Sequence, residues 1–252
     1  MMPGEPAHRL PQWMLEFQSF GPLHLLTASG LIALMLAALL LGRRWRGSIR
    51  EQILRRGWIG FTLIWQAYAV IWYLLPANFD LRESLPLHVC DLVAWIAPFA
   101  LLTQRRLLRS LLFFWGLGLS TQAFVTPVVS EGVDSMHFWL FWVGHTQIVG
   151  SAVYDVGVLG YRPRWRDYLQ ITIVNLVCIG LILPFDLLID ANYWYIGRSR
   201  PDHPTLLDAL GPWPWRVLWM VLIAQSVLAV LCWVFNSGQC TKPPQRPIHS
   251  TQ

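Results

Sequence analysis

Apolar positions in this chain fall in long blocks separated by short polar or basic stretches, not in the alternation of half-buried strands or the single stripe of soluble helices. A helix needs about 20 mostly apolar residues to cross a bilayer. Seven segments fit: 21–42, 58–75, 86–103, 110–125, 138–158, 168–189 and 213–235. The pattern predicts an all-α, polytopic transmembrane helix bundle of about seven helices over 21–235. An extracytoplasmic segment, 1–20, precedes it, and a polar, proline-rich tail expected to be disordered and cytoplasmic, 236–252, follows it. There is no internal repeat, and no stretch is left for a separate soluble domain. The connection 190–212 carries Asn192, Tyr193, Trp194 and Tyr195 and then prolines. It reads as a cap folded over one end of the bundle.

Composition agrees. Only 13% of the residues are charged, about half the usual load of a soluble domain. The 15 tryptophans suit membrane interfaces. Charge placement orients the bundle. The first loop holds Arg43, Arg44, Arg46, Arg50, Arg55 and Arg56, which the positive-inside rule puts in the cytoplasm. Alternation then brings Arg105, Arg106, Arg109, Arg162, Arg164, Arg166, Lys242 and Arg246 to the same side, 14 of the 19 basic residues. Arg9, Arg82, Arg198, Arg200 and Arg216 remain outside. The N-terminus is therefore expected outside and the C-terminus inside. The excess positive charge points to the lipid bilayer as partner, not to nucleic acid. Positive charge follows the first apolar run instead of preceding it, unlike a cleaved signal peptide. Cys90, Cys178, Cys232 and Cys240 show no spacing of a disulfide framework or redox motif.

Ionisable residues within a membrane usually face the bundle interior. On this topology they gather in the outer leaflet: His24 opens the first segment, and Ser120, Thr121 and Gln122 close the fourth. Cys90 lies roughly 6 Å and His145 roughly 10 Å below the outer surface at 1.5 Å per residue. The inner half holds little beyond Gln66, Asn175 and the loop arginines. His88 and Asp91 share a helix face, so a carboxylate–imidazole hydrogen bond is expected. Cys90 is on the opposite face from His88, so a base for its thiol must come from another helix. His145 is the candidate at similar depth, and a cysteine–histidine pair is a common source of a thiolate nucleophile. Plainer readings stand beside this one: a lone membrane cysteine is most often a small packing residue, and a lone histidine most often ties two helices together. His24, His88, Cys90 and His145 also have the chemistry of zinc or copper ligands, but no two have the i, i+4 spacing that presents ligands together. No metal and no cofactor is expected.

The stretches "LPLHVCDLVAWIAPFALLT", "LLFFWGLGLSTQAFVTP", "FWLFWVGHTQIVGSAVYDV" and "ANYWYIGRSRPDHPTLLDALGPWPWRVLW", with the opening "FQSFGPLHLLT", resemble the YwaF-type bacterial integral membrane proteins over about residues 17–235. That family is similar to a eukaryotic transmembrane acyltransferase that remodels ether phospholipids. The resemblance implies a multi-pass protein of the bacterial cytoplasmic membrane. It would move a fatty acyl chain between a phospholipid and a lysophospholipid, with Cys90 as nucleophile and His145 as general base. Thr146 departs from the second histidine or small residue expected after His145. On this reading Thr121 or Gln122 donates to the oxyanion, His24, His88 and Asp91 support the pair, and Asn192 and Tyr193 cover the lipid headgroup. The alternative is a non-enzymatic transporter or sensor with an outward-facing polar cleft. Alternating access, however, normally uses a site near the midplane and often repeats, and the sequence offers neither.

Overall fold

The computed structural model describes residues 10–198 and 206–237. Among these the protein is all α, with eight α-helices: α1 (Gln12–Leu15), α2 (Pro22–Arg44), α3 (Ile49–Leu74), α4 (Val89–Thr103), α5 (Arg106–Leu111), α6 (Met136–Gly157), α7 (Trp165–Ile189) and α8 (Trp215–Ser237). Three of them, α2, α7 and α8, are long and apolar enough to cross a membrane. The chain is a multi-pass membrane protein. Those helices turn Leu26, Leu34, Leu40, Ile173, Leu181, Leu188, Val230 and Trp233 outward, as a lipid-facing surface requires.

Each of the seven apolar segments contains a helix, but two boundaries move. The helix expected from 58 begins at Ile49, inside the stretch read as a basic loop. Ser48 and Glu51 have the S-x-x-E spacing of a capping box, and the Ser48 hydroxyl accepts from the Glu51 amide at 3.4 Å. The fourth segment also starts early. α5 continues without a break into a π-helical stretch, Leu112–Leu119, and then a 3₁₀ turn, Thr121–Phe124. This π stretch is the centre of the bundle: Leu112, Phe113, Phe114 and Trp115 are each at most 2% exposed. A helix apolar on all sides must be enclosed. Gly118 permits that, because a Cβ there would stand 2.4 Å from Leu228 of α8.

Polar pairs set the register between helices. Antiparallel α3 and α6 are joined by Tyr154 to Glu51 at 2.9 Å, Trp58 to Ser151 at 2.9 Å and Gln147 to Gln66 at 3.1 Å. Arg55 on α3 donates to Glu51 at 3.0 Å and to the Leu101 carbonyl of α4 at 2.9 Å. At this same basic end Arg109 holds Asp155 at 2.9 Å, Arg106 holds Asp167, and Ser110 meets Tyr161 at 2.8 Å. The expectation that this half is poor in polar groups is therefore corrected. Glu51, Asp155 and Asp167 are all buried there, each satisfied by an arginine that the sequence pattern reads only as a topology signal. Asn175 accepts from the Trp115 indole at 2.8 Å. Before α2, the chain pairs with the connection ahead of α6, with Phe17 N–H donating to Ser130 O at 3.0 Å. The tail from position 238 and positions 199–205 of the connection lie outside the described residues.

Removing one partner of a buried ion pair costs about 3–5 kcal/mol. Asp155→Ala, which strands the guanidinium of Arg109, is expected to lower stability by that order, read as thermal unfolding in detergent. Asp190→Ala breaks the exposed Arg82–Asp190 pair, with side chains 46% and 65% accessible. It is expected to cost under about 1 kcal/mol.

Candidate functional site

The first turn of α4 concentrates the candidate chemistry. His88 is its N-cap. Asp91 at the third helical position takes the His88 backbone N–H at 3.1 Å. The carboxylate is thus a cap and not the partner of the imidazole, which corrects the expected carboxylate–imidazole bond. The bond satisfies a backbone N–H at the start of the helix that has no partner within it. The His88 ring instead lies 5.0 Å from the Tyr193 ring and 5.7 Å from the Tyr195 ring, centroid to centroid. Cys90 is half-buried in this first turn, at the second helical position. Amides at a helix N-terminus favour negative charge placed against them.

His145 is half-buried on α6, and its Nδ1 lies 2.8 Å from the Phe141 carbonyl. A carbonyl can only accept, so Nδ1 carries the proton and Nε2 is a bare acceptor. That is the tautomer a general base needs. The heights of Cys90 and His145 follow from one anchor, because Arg55, Glu51, Leu101 O and Tyr154 form a single hydrogen-bonded cluster. Cys90 lies eleven positions from Leu101 along α4 and His145 nine from Tyr154 along α6, or about 16 and 14 Å at 1.5 Å per residue. The two helices run the same way and pack more extensively on each other than any other pair. His145 shares a helical stripe with Ile148 and Ala152, the residues a Cβ on Gly116 would touch at 3.5 and 3.1 Å. It therefore belongs to the face turned toward the π stretch, which also packs on α4. Among the described residues no hydrogen bond joins Cys90 to His145.

Over this end lies the cap. Asp186 near the end of α7 accepts the Tyr193 amide on Oδ1 at 3.1 Å, and its carbonyl accepts the Ala191 amide at 2.9 Å. The Tyr193 hydroxyl donates to Leu81 O at 2.9 Å and accepts from Leu85 N–H at 3.1 Å. The Trp194 indole donates to Leu87 O at 2.7 Å. On the far side Arg216 of α8, 1% exposed, holds Asp208 and donates to Gly197 O at 2.7 Å. Trp194 and Tyr195 are both in the left-handed region, with φ of 58° and 60°. Bulky side chains rarely adopt it, and surrounding contacts must enforce it.

Several residues singled out by sequence serve the fold. His24 accepts from Phe20 N–H at 2.8 Å and donates to Phe124 O at 3.1 Å, so both ring nitrogens are occupied in pinning α2 to the turn after the π stretch. The Thr121 hydroxyl donates to Leu117 O at 2.9 Å, and Gln122 is exposed. Tyr193 is wholly buried with its hydroxyl saturated, whereas Asn192 has a buried Oδ1 without a partner. Among the described residues no three His, Cys, Asp or Glu side chains cluster as a metal site would require. An open recess of about 310 Å³ lies elsewhere, lined by Gln12, Trp13, Glu16 and Leu23 among others, and includes neither Cys90 nor His145. Sequence reasoning did not single out Tyr73, and it took Tyr195 only as part of the 192–195 segment over the headgroup. The Tyr195 ring lies 5.7 Å from the His88 ring, and the Tyr73 ring 6.0 Å from the His137 ring that opens α6. Only the fold of the cap and the length of α3 bring them there, although the run "ANYWYIG" marks an aromatic cluster.

The TMEM164 family model matches residues 19–235, nearly the whole bundle and almost the same stretch as the resemblance read from the sequence. The chain belongs to the TMEM164 family of membrane proteins. No curated protein and no solved structure matches it.

Tyr193→Phe removes a hydroxyl that satisfies two backbone groups. It is expected to cost about 1–3 kcal/mol and to raise amide hydrogen exchange at Leu85. Unchanged exchange there would show that the cap is held without it.

Proposed function

We propose that this TMEM164 family protein is an acyltransferase that moves a fatty acyl chain from a phospholipid to a lysophospholipid through a thioester on Cys90. The observation that carries the proposal is Cys90 in the first turn of α4, where the free amides of a helix N-terminus favour negative charge, with the bare Nε2 of His145 at matching height on the most closely packed neighbour. His145 takes the thiol proton, and the thiolate adds to the donor's ester carbonyl, whose π electrons move to oxygen. As the carbonyl re-forms, the C–O bond to glycerol breaks. The leaving alkoxide takes the proton from His145, which gives a lysophospholipid and the thioester. The acceptor hydroxyl then loses its proton to His145 and attacks the thioester. The C–S bond breaks, and the thiolate recovers the proton. Water in place of the acceptor would make the protein a lipase.

All seven long helical segments cross the membrane in this reading, with the N-terminus and the cap outside and the basic end in the cytoplasm of a bacterial cell. The arginine pairs at the basic end and the apolar faces of α2, α7 and α8 support that orientation. Cys90 and His145 then lie near the depth of acyl ester carbonyls, and the cap, with Asn192 at its edge, covers the headgroup. His88 and Asp91 hold the first turn of α4 and the cap in place around the sulfur.

Cys90→Ala and His145→Ala, each in purified protein reconstituted with a defined phospholipid and lysophospholipid, are each expected to lower transfer at least about 10³-fold, within the usual range for loss of a covalent nucleophile or its base. Wild-type transfer in both variants contradicts the proposal.

A further inference from the structure

The end of α6 gathers more positive charge than the fold uses. The last carbonyl of the helix, Gly157 O, accepts from Arg43 Nε at 3.1 Å and from Arg46 Nη2 at 2.7 Å. The carbonyl before it, Val156 O, accepts from Arg162 Nη1 at 2.9 Å. Arg55, Arg106 and Arg109 at the same end each hold a carboxylate, Glu51, Asp167 and Asp155 in turn. Among the described residues no carboxylate pairs with Arg43, Arg46 or Arg162. A helix C-terminus carries only about half a negative charge, too little to balance three guanidinium groups. Arg43 and Arg46 share one oxygen, so their bonding nitrogens lie within about 6 Å of each other, and like charges that close repel unless an anion lies between them.

The position of this pair is built into the fold. The ends of α2 and α6 touch through glycine. A Cβ on Gly157 would stand 2.3 Å from Leu39 Cδ1 and 3.5 Å from Arg43 Nη2, and one on Gly42 would stand 2.6 Å from the Tyr154 ring. Arg46 follows in the turn after α2, where Gly47 has a φ of 77°, a conformation open to glycine, and Ser48 N–H donates to the Trp45 carbonyl at 2.9 Å. Gly157 O has two lone pairs, and the two arginines take both. Each guanidinium spends one of its five donors there, and neither makes another hydrogen bond among the described residues. Both side chains are exposed. Leu36 and Leu40 of α2 face outward, and Arg43 lies three positions after Leu40, on the same side of the helix. The pair therefore stands where an apolar helix leaves the hydrocarbon, at the height of lipid headgroups.

We infer that Arg43 and Arg46 bind the phosphate of an anionic phospholipid headgroup at the basic end of the bundle, with Arg162 adding a third positive charge. A guanidinium presents a fork of donors that matches a phosphate at two points, and the anion between the forks relieves their mutual repulsion. The source is a lipid and not free phosphate, because a headgroup held here lays its acyl chain along Leu36 and Leu40. The bound lipid bridges α2 and α6 at the end of the bundle opposite Cys90. The site stands whether or not Cys90 transfers acyl chains.

The test uses the full chain in a neutral detergent, titrated with phosphatidylglycerol, phosphatidylcholine or inorganic phosphate, and reads bound lipid by native mass spectrometry and melting temperature. Phosphatidylglycerol is expected to bind saturably and to raise the melting temperature, phosphatidylcholine to bind more weakly, and inorganic phosphate to do neither. The variant Arg43→Gln/Arg46→Gln is expected to bind phosphatidylglycerol about 30-fold more weakly, from the usual worth of two arginines at a headgroup. The variant Arg50→Gln/Arg56→Gln removes the same charge from exposed positions of α3 and is expected to keep an affinity close to wild type. In wild type, a phosphatidylglycerol with a photoreactive headgroup is expected to crosslink within 43–48 and 157–162, a readout that needs no variant. Wild-type affinity in Arg43→Gln/Arg46→Gln overturns the site, as do crosslinks confined to other segments. Equal weakening in the two double variants also overturns it, by showing diffuse surface charge. Inorganic phosphate or phosphatidylcholine acting as strongly as phosphatidylglycerol overturns the anionic lipid as its ligand.

Discussion

The Arg55 guanidinium sets the register on which the rest of the structure depends. It lies on α3, pairs with Glu51 one turn earlier and donates to the Leu101 carbonyl of α4, while Glu51 also takes the Tyr154 hydroxyl of α6. Three helices are fixed at one height by four groups. In a lipid environment each of those groups must find its partner inside the protein, so sliding any of the three helices strands a charge or a carbonyl. The register is carried along α4 and α6 to the opposite end of the bundle. Cys90 and His145 therefore lie at similar heights without touching the cluster that puts them there. The Trp58–Ser151 and Gln66–Gln147 bonds repeat the constraint between α3 and α6 at higher steps.

The opposite end is built differently. Its polar groups are tied to backbone more than to countercharges: Asp91 to the His88 amide, Asp186 to the Tyr193 amide, Trp194 to Leu87 O, and Tyr193 to Leu81 and Leu85. The basic end holds Asp155 and Asp167 against Arg109 and Arg106. At the capped end the Nε2 of His145 has no hydrogen-bond partner among the described residues. The buried carboxylates at one end are spent on register, and the imidazole at the other is left open. Enforced left-handed geometry at Trp194 and Tyr195 sits over the first turn of α4, against Leu87 and His88.

The helices were legible in the sequence because a membrane span imposes length and hydropathy together. α2, α7 and α8 lie within a few residues of their expected bounds. α3 and α5 were misread at their starts because arginines there serve as partners for buried carboxylates, and a charge count cannot separate a topology signal from half of an ion pair. Cys90 and His145 stood out as ionisable residues in apolar runs at similar depth. Asp91, His24 and Thr121 were assigned to chemistry because residue type and spacing do not reveal that a backbone group has claimed a side chain. Tyr195 was read only as part of the headgroup cover, because its packing on His88 depends on a backbone conformation that no sequence pattern demands.

The central claim is that Cys90 carries the acyl chain covalently between two lipids. The most direct measurement is mass spectrometry of the Cys90-containing peptide from protein purified in the presence of phospholipid and without an acceptor. The account predicts that this peptide gains the mass of a fatty acyl group, that neutral hydroxylamine removes it, and that adding lysophospholipid transfers it to the lipid. An unmodified Cys90 peptide under conditions in which acyl transfer proceeds on addition of acceptor would contradict the account.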